Sequence, residues 1–268
     1  MSIRSPSDAY GLVCPWERGR SFELASRPPC AALERLVDRF WSVRWDLEDG
    51  TSFEQEILPH PSLNLVVEPD RTCVWGVPTH RARRQLHGRG WAVGTKFKPG
   101  VFTALTGIEA ARITNSSISV SDAFGNSPEL DDFDLATAAL STIASTIEAW
   151  LLPMADVDDP SLTLIDQIVA SMRALPPDVR VQQIAAANHL APRTLQRLFH
   201  RYVGVSPKWV LKRLRIHEAT ERLAVAMPPA WTKLALDLGY YDHAHFIRDF
   251  RAVVGRSPAQ YAREAAAA

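Results

Sequence analysis

Residues 231–239 read WTKLALDLG and residues 240–251 read YYDHAHFIRDFR, and this stretch decides the fold of the C-terminal half. Apolar residues recur at helical spacing on both sides of a Gly, which predicts two short helices joined by a tight turn. A similar stretch lies about 50 residues earlier, as VQQIAAANHL at 181–190 and APRTLQRLFHR at 191–201. Each first helix holds a small Ala, as close helix packing requires, and each second helix is rich in Arg, His or Gln. The doublet predicts two helix-turn-helix units that suit two successive turns of a DNA major groove.

The second unit has favourable turn chemistry. Gly239 suits a left-handed turn, and Asp242 can cap the helix that follows it. Phe246 and Phe250 are four residues apart and predict the core side of that helix. The first residues of a recognition helix meet base edges, where Arg can pair with guanine and Ala can contact a thymine methyl group. The predicted base contacts here are His243, Ala244, His245 and Arg248.

The first unit is less regular. His189 takes the place of the turn Gly and Ala191 the place of the cap, so the turn costs more and the helix start lacks a side-chain cap. Pro192 offsets part of this because its fixed backbone angle suits the first helical position. An isolated Arg or Gln is more often a solvated surface residue, but the repeated geometry favours DNA reading. The predicted base contacts are Arg193, Thr194, Gln196 and Arg197.

A long helix is predicted between the two units. Residues 204–219 read GVSPKWVLKRLRIHEA, which begins with a Ser-Pro cap and continues with apolar residues at helical spacing. Such a helix would hold the two units at a fixed separation, as adjacent groove turns about 34 Å apart require. The predicted phosphate contacts are His200, Arg201, Lys208, Lys212, Arg213, Arg251 and Arg256.

The net charge is zero, but the charged residues are unevenly distributed along the chain. Residues 176–268 carry 14 Lys and Arg against 7 Asp and Glu, and the rest carries 16 against 23. An excess of this size can be a solvated surface, but next to the two motifs it favours phosphate binding by the C-terminal end.

The N-terminal part mixes helical and extended patterns. We predict a helix over 31–41 and strands at 42–46, 52–58, 63–68, 72–76, 83–86 and 91–97, separated by turn residues. This spacing predicts an α+β domain built on a small antiparallel barrel or curved sheet plus helices, followed by an all-α double helix-turn-helix domain. Further helices are predicted over 131–152 and 162–175. The predicted domains are 1–153 and 161–264, joined by a linker at 154–160.

The C-terminal motifs resemble the AraC/XylS family of bacterial transcription regulators. The matching stretches are RTLQRLF (193–199), GVSP (204–207), LRIHEA (214–219), ALDLGY (235–240), HFIRDFR (245–251) and GRSPAQY (255–261). The resemblance covers roughly residues 160–264 and implies a seven-helix module with two DNA-reading units. It implies base contacts at the positions of Arg193, Gln196, Arg197, His243, Ala244 and Arg248.

The N-terminal half resembles an uncharacterised domain found in some AraC-type regulators. The resemblance is carried by LPHPSLNLVV (58–67), GVPT (76–79) and VGTKFKPG (93–100). In the wider family this half senses a small molecule or mediates dimerisation, so a regulator and a DNA-binding adaptor with a purely dimerising domain both stay open. Trp41, Trp45, Trp75 and Trp91 could line a ligand pocket with Lys96, or the tryptophans could simply fill the core.

An enzyme or metal sensor is the third hypothesis. The sequence has no Gly-rich phosphate loop, nucleophile elbow or paired-Cys zinc motif, and His60, His80 and His87 are too far apart to predict a metal site. Three widely spaced cysteines, Cys14, Cys30 and Cys73, indicate a reducing compartment rather than a disulfide framework. We therefore expect no catalytic residues and no cofactor.

The remaining expectations concern location and partners. No run approaches ~18 apolar residues and no signal sequence is expected at the N-terminus, so a cytoplasmic protein without a membrane span is predicted. The expected partner is double-stranded DNA; a small-molecule effector, RNA polymerase and a second copy of the chain are further candidates.

Overall fold

A computed structural model of the protein describes residues 22–130, 134–174, 179–225 and 230–267. Its N-terminal half holds antiparallel sheets. The longer sheet has the strand order β1-β2-β7-β4-β5-β8, and β3 pairs with β6 in a separate two-stranded sheet. The strands are β1 (Phe22–Arg27), β2 (Val37–Asp46), β3 (Ser52–Ile57), β4 (Asn64–Glu68), β5 (Arg71–Trp75), β6 (Ala82–His87), β7 (Arg89–Phe97) and β8 (Ser117–Ser119).

The predicted α+β class is confirmed as an antiparallel sheet domain. All six predicted strands are present as β2 to β7, whereas β1 and β8 were not foreseen. The barrel alternative is wrong for the described residues, because their strands form two separate sheets that do not close on one another.

The helix predicted over 31–41 is wrong. Residues Ala31–Leu33 form one 3₁₀ turn, and β2 begins at Val37 and pairs with β1 on one side and β7 on the other. A register shift between Val37 and Arg39 puts an extra residue into the strand. Val37 and Phe40 therefore both reach the core, 1% and 0% exposed, and their spacing of three imitates a helix.

Three helices pack on the core face of the longer sheet: α1 (Val101–Thr106), α2 (Val120–Phe124) and α3 (Leu140–Leu151). The helix predicted over 131–152 is confirmed for 140–151, with the expected apolar stripe buried. It starts later because the Asp134 carboxylate accepts hydrogen bonds from the Ala136 amide and the Thr137 hydroxyl, which form a turn. Residues 131–133 lie outside the described part.

The C-terminal half is helical as predicted. Its helices are α4 (Pro160–Ala174), α5 (Val181–Ala187), α6 (Pro192–Val203), α7 (Pro207–Val225), α8 (Trp231–Asp237), α9 (His243–Val254) and α10 (Pro258–Ala266). The last residue of the predicted helix 162–175 lies outside the described residues. Within the described ranges, every helix is too short or too polar to cross a membrane.

The buried apolar side chains form two clusters of unequal size. The larger one joins the sheet and α1 to α3 with α4, α5, α6 and the first half of α7. The smaller one holds the second half of α7 with α8, α9 and α10, and it also includes Leu58 from the loop after β3. The first helix-turn-helix unit thus shares its core with the sheet domain, and the second unit has its own.

Candidate nucleic-acid interface and adjacent cavity

The first unit consists of α5, a turn and α6. His189 in the turn has a φ of 55°, a left-handed conformation that costs a non-glycine residue energy. Ala191 at the start of α6 makes no side-chain cap, and Pro192 occupies the first helical turn. The irregular turn and helix start expected from the sequence are both present, and α6 nevertheless runs for 12 residues.

The second unit consists of α8, a turn and α9. Gly239 has a φ of 78°, and the Asp242 carboxylate accepts a hydrogen bond from the backbone amide of His245 at 2.7 Å. Both features match the sequence prediction, and together they fix the start of α9.

Each recognition helix buries one face and exposes the other. Leu195 and Phe199 of α6, and Phe246 and Phe250 of α9, are fully buried. The opposite faces expose every predicted base contact in the first two turns, which are Arg193, Thr194, Gln196, Arg197, His243, Ala244, His245 and Arg248. These side chains are therefore accessible to a binding partner, and their role as base contacts stays a prediction.

The eight candidates are not equivalent. His243, Ala244 and Arg248 line a shallow depression on α9 together with Ile247 and Arg251. His245 lies to the side, where its Nε2 is 3.4 Å from an Asp249 carboxylate oxygen and its ring meets Tyr240 edge-on.

Five of the seven predicted phosphate contacts are exposed: His200, Arg201, Lys208, Lys212 and Arg251. Lys212 already donates to Asp249 at 2.6 Å, which links α7 to α9. Thr103 donates to the carbonyl of Arg201, and Thr114 to that of Gly204, so the carboxyl end of α6 is attached to the sheet domain.

Arg213 does not belong to this surface. Its side chain is buried, at 6% exposure for the residue, and its guanidinium lies over the Trp209 ring at 4.6 Å. Burial lowers the pKa of Arg213 to about 10, which leaves it charged at neutral pH. Arg213 falls on the inward stripe of α7 with Val210 and Ile216, and the predicted phosphate contact is wrong.

Arg256 is turned inward as well. Its guanidinium is 3.0 Å from Glu56 of β3 and 2.8 Å from Glu264 of α10. With two carboxylates already bound, Arg256 joins the second unit to the sheet domain, and the structure does not support the predicted phosphate contact.

A cavity of about 920 Å³ lies against the sheet face opposite α1 to α3. Its walls are that sheet face, the two-stranded β3–β6 sheet, the loop after β3, the inner side of α7 and the carboxyl end of α8. Of the side chains predicted for a pocket, Trp41, Trp45, Trp75 and Lys96 line it. Trp91 does not, because alternate residues of β7 face opposite ways and Trp91 packs against the hydrophobic core.

Sequence reasoning missed most of the helical wall and the loop that touches it. His60 and His217 are far apart in sequence, yet their rings are 3.8 Å apart, and the His217 Nε2–H donates to the carbonyl of Pro59 at 3.1 Å. Within the described ranges no group of three His, Cys, Asp or Glu is placed to hold a metal ion. Cys30 and Cys73 are free thiols, and Cys14 lies outside the described residues.

Two family models each match a part of this chain. Residues 184–264 match a helix-turn-helix domain, and residues 25–119 match a domain of unknown function (DUF6597). An uncharacterized HTH-type transcriptional regulator of Haemophilus influenzae is 27% identical over 94 residues, which are 35% of this chain and 31% of the relative. The match thus spans about a third of that relative's length.

Solved structures match this chain at low similarity. An AraC-type transcriptional regulator from Chromobacterium violaceum is 23% identical with a TM-score of 0.37, covering 40% of this chain and 95% of its own. ToxT from Vibrio cholerae is 10% identical with a TM-score of 0.40, covering 93% of this chain and 100% of its own. Likeness at this level carries no inference about ligands.

Both matches cover part of the chain: the helix-turn-helix domain lies in the helical half and the domain of unknown function in the sheet half.

Proposed function

We propose that this protein is an AraC-type transcription regulator that reads two adjacent major-groove turns of double-stranded DNA and responds to a small molecule held in the cavity. In this proposal residues 161–264 bind DNA, residues 1–153 sense the effector, and residues 154–160 join them. A second copy and RNA polymerase are proposed as partners on the strength of the family resemblance alone.

The observation that carries the proposal is the paired exposure of α6 and α9. Arg197 and Arg248, in particular, project from the first two turns of their helices while the opposite faces are fully buried. A guanidinium can donate two hydrogen bonds to one guanine, and this is the most frequent specific contact in the major groove.

The connector supports reading by both units together. Helix α7 has 19 residues, which at the usual rise make a rod about 28 Å long, and its Ser206 hydroxyl accepts from the Trp209 amide at its start. About half of its side chains are buried, and three of them belong to each of the two cores, so α7 cannot bend freely. A rod of this length suits units placed on neighbouring turns of a duplex.

The loop after β3 contacts both the cavity and the second helix-turn-helix unit. Leu58, 1% exposed, belongs to the core of the second unit, while Pro59 and His60 line the cavity and touch His217 of α7. A molecule entering the cavity would press on the same segment that helps to hold the second unit. This continuity supports control of DNA binding by an effector.

Selection from a random duplex library at near-physiological salt tests the proposal. We expect one motif with two half-sites about one helical turn apart. Arg197→Ala should relax base preference within one half-site and Arg248→Ala within the other, whereas Arg89→Ala, at an exposed surface position of β7, should change neither. Enrichment of no motif, or loss that is uniform across sequences in both variants, would overturn it.

A further inference from the structure

The two recognition helices end in the same way. Helix α6 is followed by Gly204 with a φ of 85°, and α9 is followed by Gly255 with a φ of 82°. A left-handed residue ends a helix, and glycine adopts this conformation at the least cost. The sequence continues as GVSP after α6 and as GRSP after α9. The two glycines are therefore equivalent positions of the two units.

The sheet domain contacts both of these glycines. The Thr114 hydroxyl donates to the carbonyl of Gly204 at 2.8 Å, and a Cβ placed on Gly204 would overlap the same hydroxyl oxygen. At Gly255 a Cβ would overlap the guanidinium of Arg81. A cation is favourably placed there, because the carboxyl end of a helix carries partial negative charge. One side chain of the sheet domain thus lies against the end of each recognition helix.

The two segments that carry these side chains, residues 76–81 and 110–116, are bonded to each other. They continue the pairing of β5 with β8, and the Gly76 amide donates to the carbonyl of Ser116 at 3.0 Å. A Cβ on Gly76 would overlap the carbonyl oxygen of Ile113, so the two backbones lie in direct contact.

Asn115 ties the two segments together through its side chain. Its Oδ1 accepts hydrogen bonds from the Thr79 amide at 2.7 Å and from the Thr79 hydroxyl at 3.0 Å. Its φ is 62°, a left-handed conformation that Asn tolerates better than most residues other than Gly. Asn115 follows Thr114 directly, and Thr79 lies two residues before Arg81. The two segments therefore form a bridge that runs from the end of α6 to the end of α9.

Helix α7 also connects the two units, because it starts shortly after α6 and its second half lies in the core of the second unit. At the α9 end of the bridge, Glu56 pairs with both Arg81 and Arg256. Together, α7 and the bridge close a ring through both units, and two connections restrict relative rotation more than one does. Pre-organising two binding elements in this way raises the affinity for a partner that engages both.

We propose that the sheet domain is a structural part of the DNA reader: its bridge fixes the mutual orientation of α6 and α9, with Asn115 as the positioning residue. This inference rests on the proposed reading of DNA by both units. Both segments of the bridge lie within residues 25–119, which match the domain of unknown function. The proposal thus gives that domain a role in DNA reading that requires no effector.

Asn115→Gly tests the bridge, because Gly suits the left-handed backbone and the change removes only the side chain that holds Thr79. The quantity to measure is the affinity of the full chain for a duplex with both half-sites, divided by its affinity for a duplex with one half-site scrambled. This ratio reports how well the two helices are held for simultaneous binding, and it should fall about 10-fold in the variant. Affinity for each single half-site should stay unchanged, whereas a general loss of folding would lower it.

Thr114→Val is a second variant, which removes the hydrogen bond to Gly204 while keeping the shape of the side chain. It should lower the same ratio. Thr146→Val is the matched control, because the Thr146 hydroxyl donates within α3 to Thr142, and the ratio should not change. An unchanged ratio in both Asn115→Gly and Thr114→Val would overturn the bridge and leave reading by two units in place. A natural protein that gains no affinity from a second half-site would instead overturn the proposed function, and the bridge with it.

Discussion

Arg256, at the corner between α9 and α10, donates to the carboxylate of Glu56 at the end of β3, with 3.0 Å between Nη1 and Oε2. The two residues are 200 positions apart in sequence. Arg81 pairs with the same carboxylate, and its guanidinium fills the space beside Gly255, whose φ is 82°. This ionic contact attaches the second unit to the sheet domain, and so does the insertion of Leu58 into the core of that unit.

Replacing Glu56 by Gln should loosen that attachment. Two partly buried guanidinium groups lose their shared anion, and we expect a loss of roughly 1–3 kcal/mol in the free energy of unfolding. Amide hydrogen exchange in α9 should become faster. Glu54→Gln is the matched control, since Glu54 is half-exposed and its ion pair should contribute less than about 1 kcal/mol. Equal effects of the two variants would contradict the role of Glu56.

Removal of the cap of α9 should weaken both the fold and DNA binding. In Asp242→Ala the His245 amide loses its acceptor, which typically costs about 1 kcal/mol. Because the proposed base contacts begin at the next position, affinity for the selected duplex should fall as well. Asp242→Ser keeps a capping oxygen and should restore most of both losses. Thermal unfolding and duplex titration measure them; no rescue by Ser would mean that Asp242 acts in another way.

Substitutions of the neighbouring residues Arg213 and Lys212 should affect the salt dependence of DNA binding differently. Arg213→Met removes a buried charge whose Nη1 has no hydrogen-bond partner among the described residues, so unfolding stability should hold or rise. The dependence of DNA affinity on salt should not change. Lys212→Met should lower the slope of log affinity against log salt by about 1, as the loss of one phosphate contact does. A lower slope in Arg213→Met would restore Arg213 as a phosphate contact.

Asp159, at the start of α4, should make a pH-dependent contribution to the free energy of unfolding. Burial opposes ionisation of Asp159, but hydrogen bonds from the Tyr202 hydroxyl at 2.7 Å and from Ser161 outweigh it, so the pKa of Asp159 lies below its usual value. A carboxyl with a lowered pKa in the folded state stabilises the fold above its unfolded pKa, and this contribution is lost as pH falls through the folded pKa.

Asp159→Asn should therefore be less stable than the natural protein at pH 7, and the difference should shrink as the pH falls towards 3. Denaturant unfolding across this range measures it. Asp158→Asn, one residue earlier, is the control and should show no such trend. A constant difference between the natural protein and Asp159→Asn would exclude the ionic contribution.

Local signals explain why the C-terminal half could be predicted. The turn at Gly239, the cap at Asp242 and the apolar stripes of α6 and α9 each depend on residues a few positions apart. Helical periodicity also predicts the burial of Arg213, because this residue lies three positions from Val210 and three from Ile216, both fully buried.

Non-local pairing explains the failures in the N-terminal half. The register shift in β2 makes Val37 and Phe40 share a face, and only the pairing with β7 reveals it. The alternation of side chains along β7 already predicts that Trp91 and Lys96 lie on opposite faces of the sheet, because residues five apart on a strand face opposite ways. In contrast, no local pattern joins His60 to His217, because the approach of the loop to α7 depends on the packing of the whole chain.

The most direct test of two-unit reading is the affinity for the selected duplex when the spacing of its half-sites changes. Inserting five base pairs turns one half-site to the opposite side of the helix while leaving every base contact available. With α7 as a rigid connector, we expect a loss of at least 100-fold in affinity, approaching that of a duplex with one half-site removed. Undiminished affinity for the five-base-pair insertion would contradict simultaneous reading by α6 and α9.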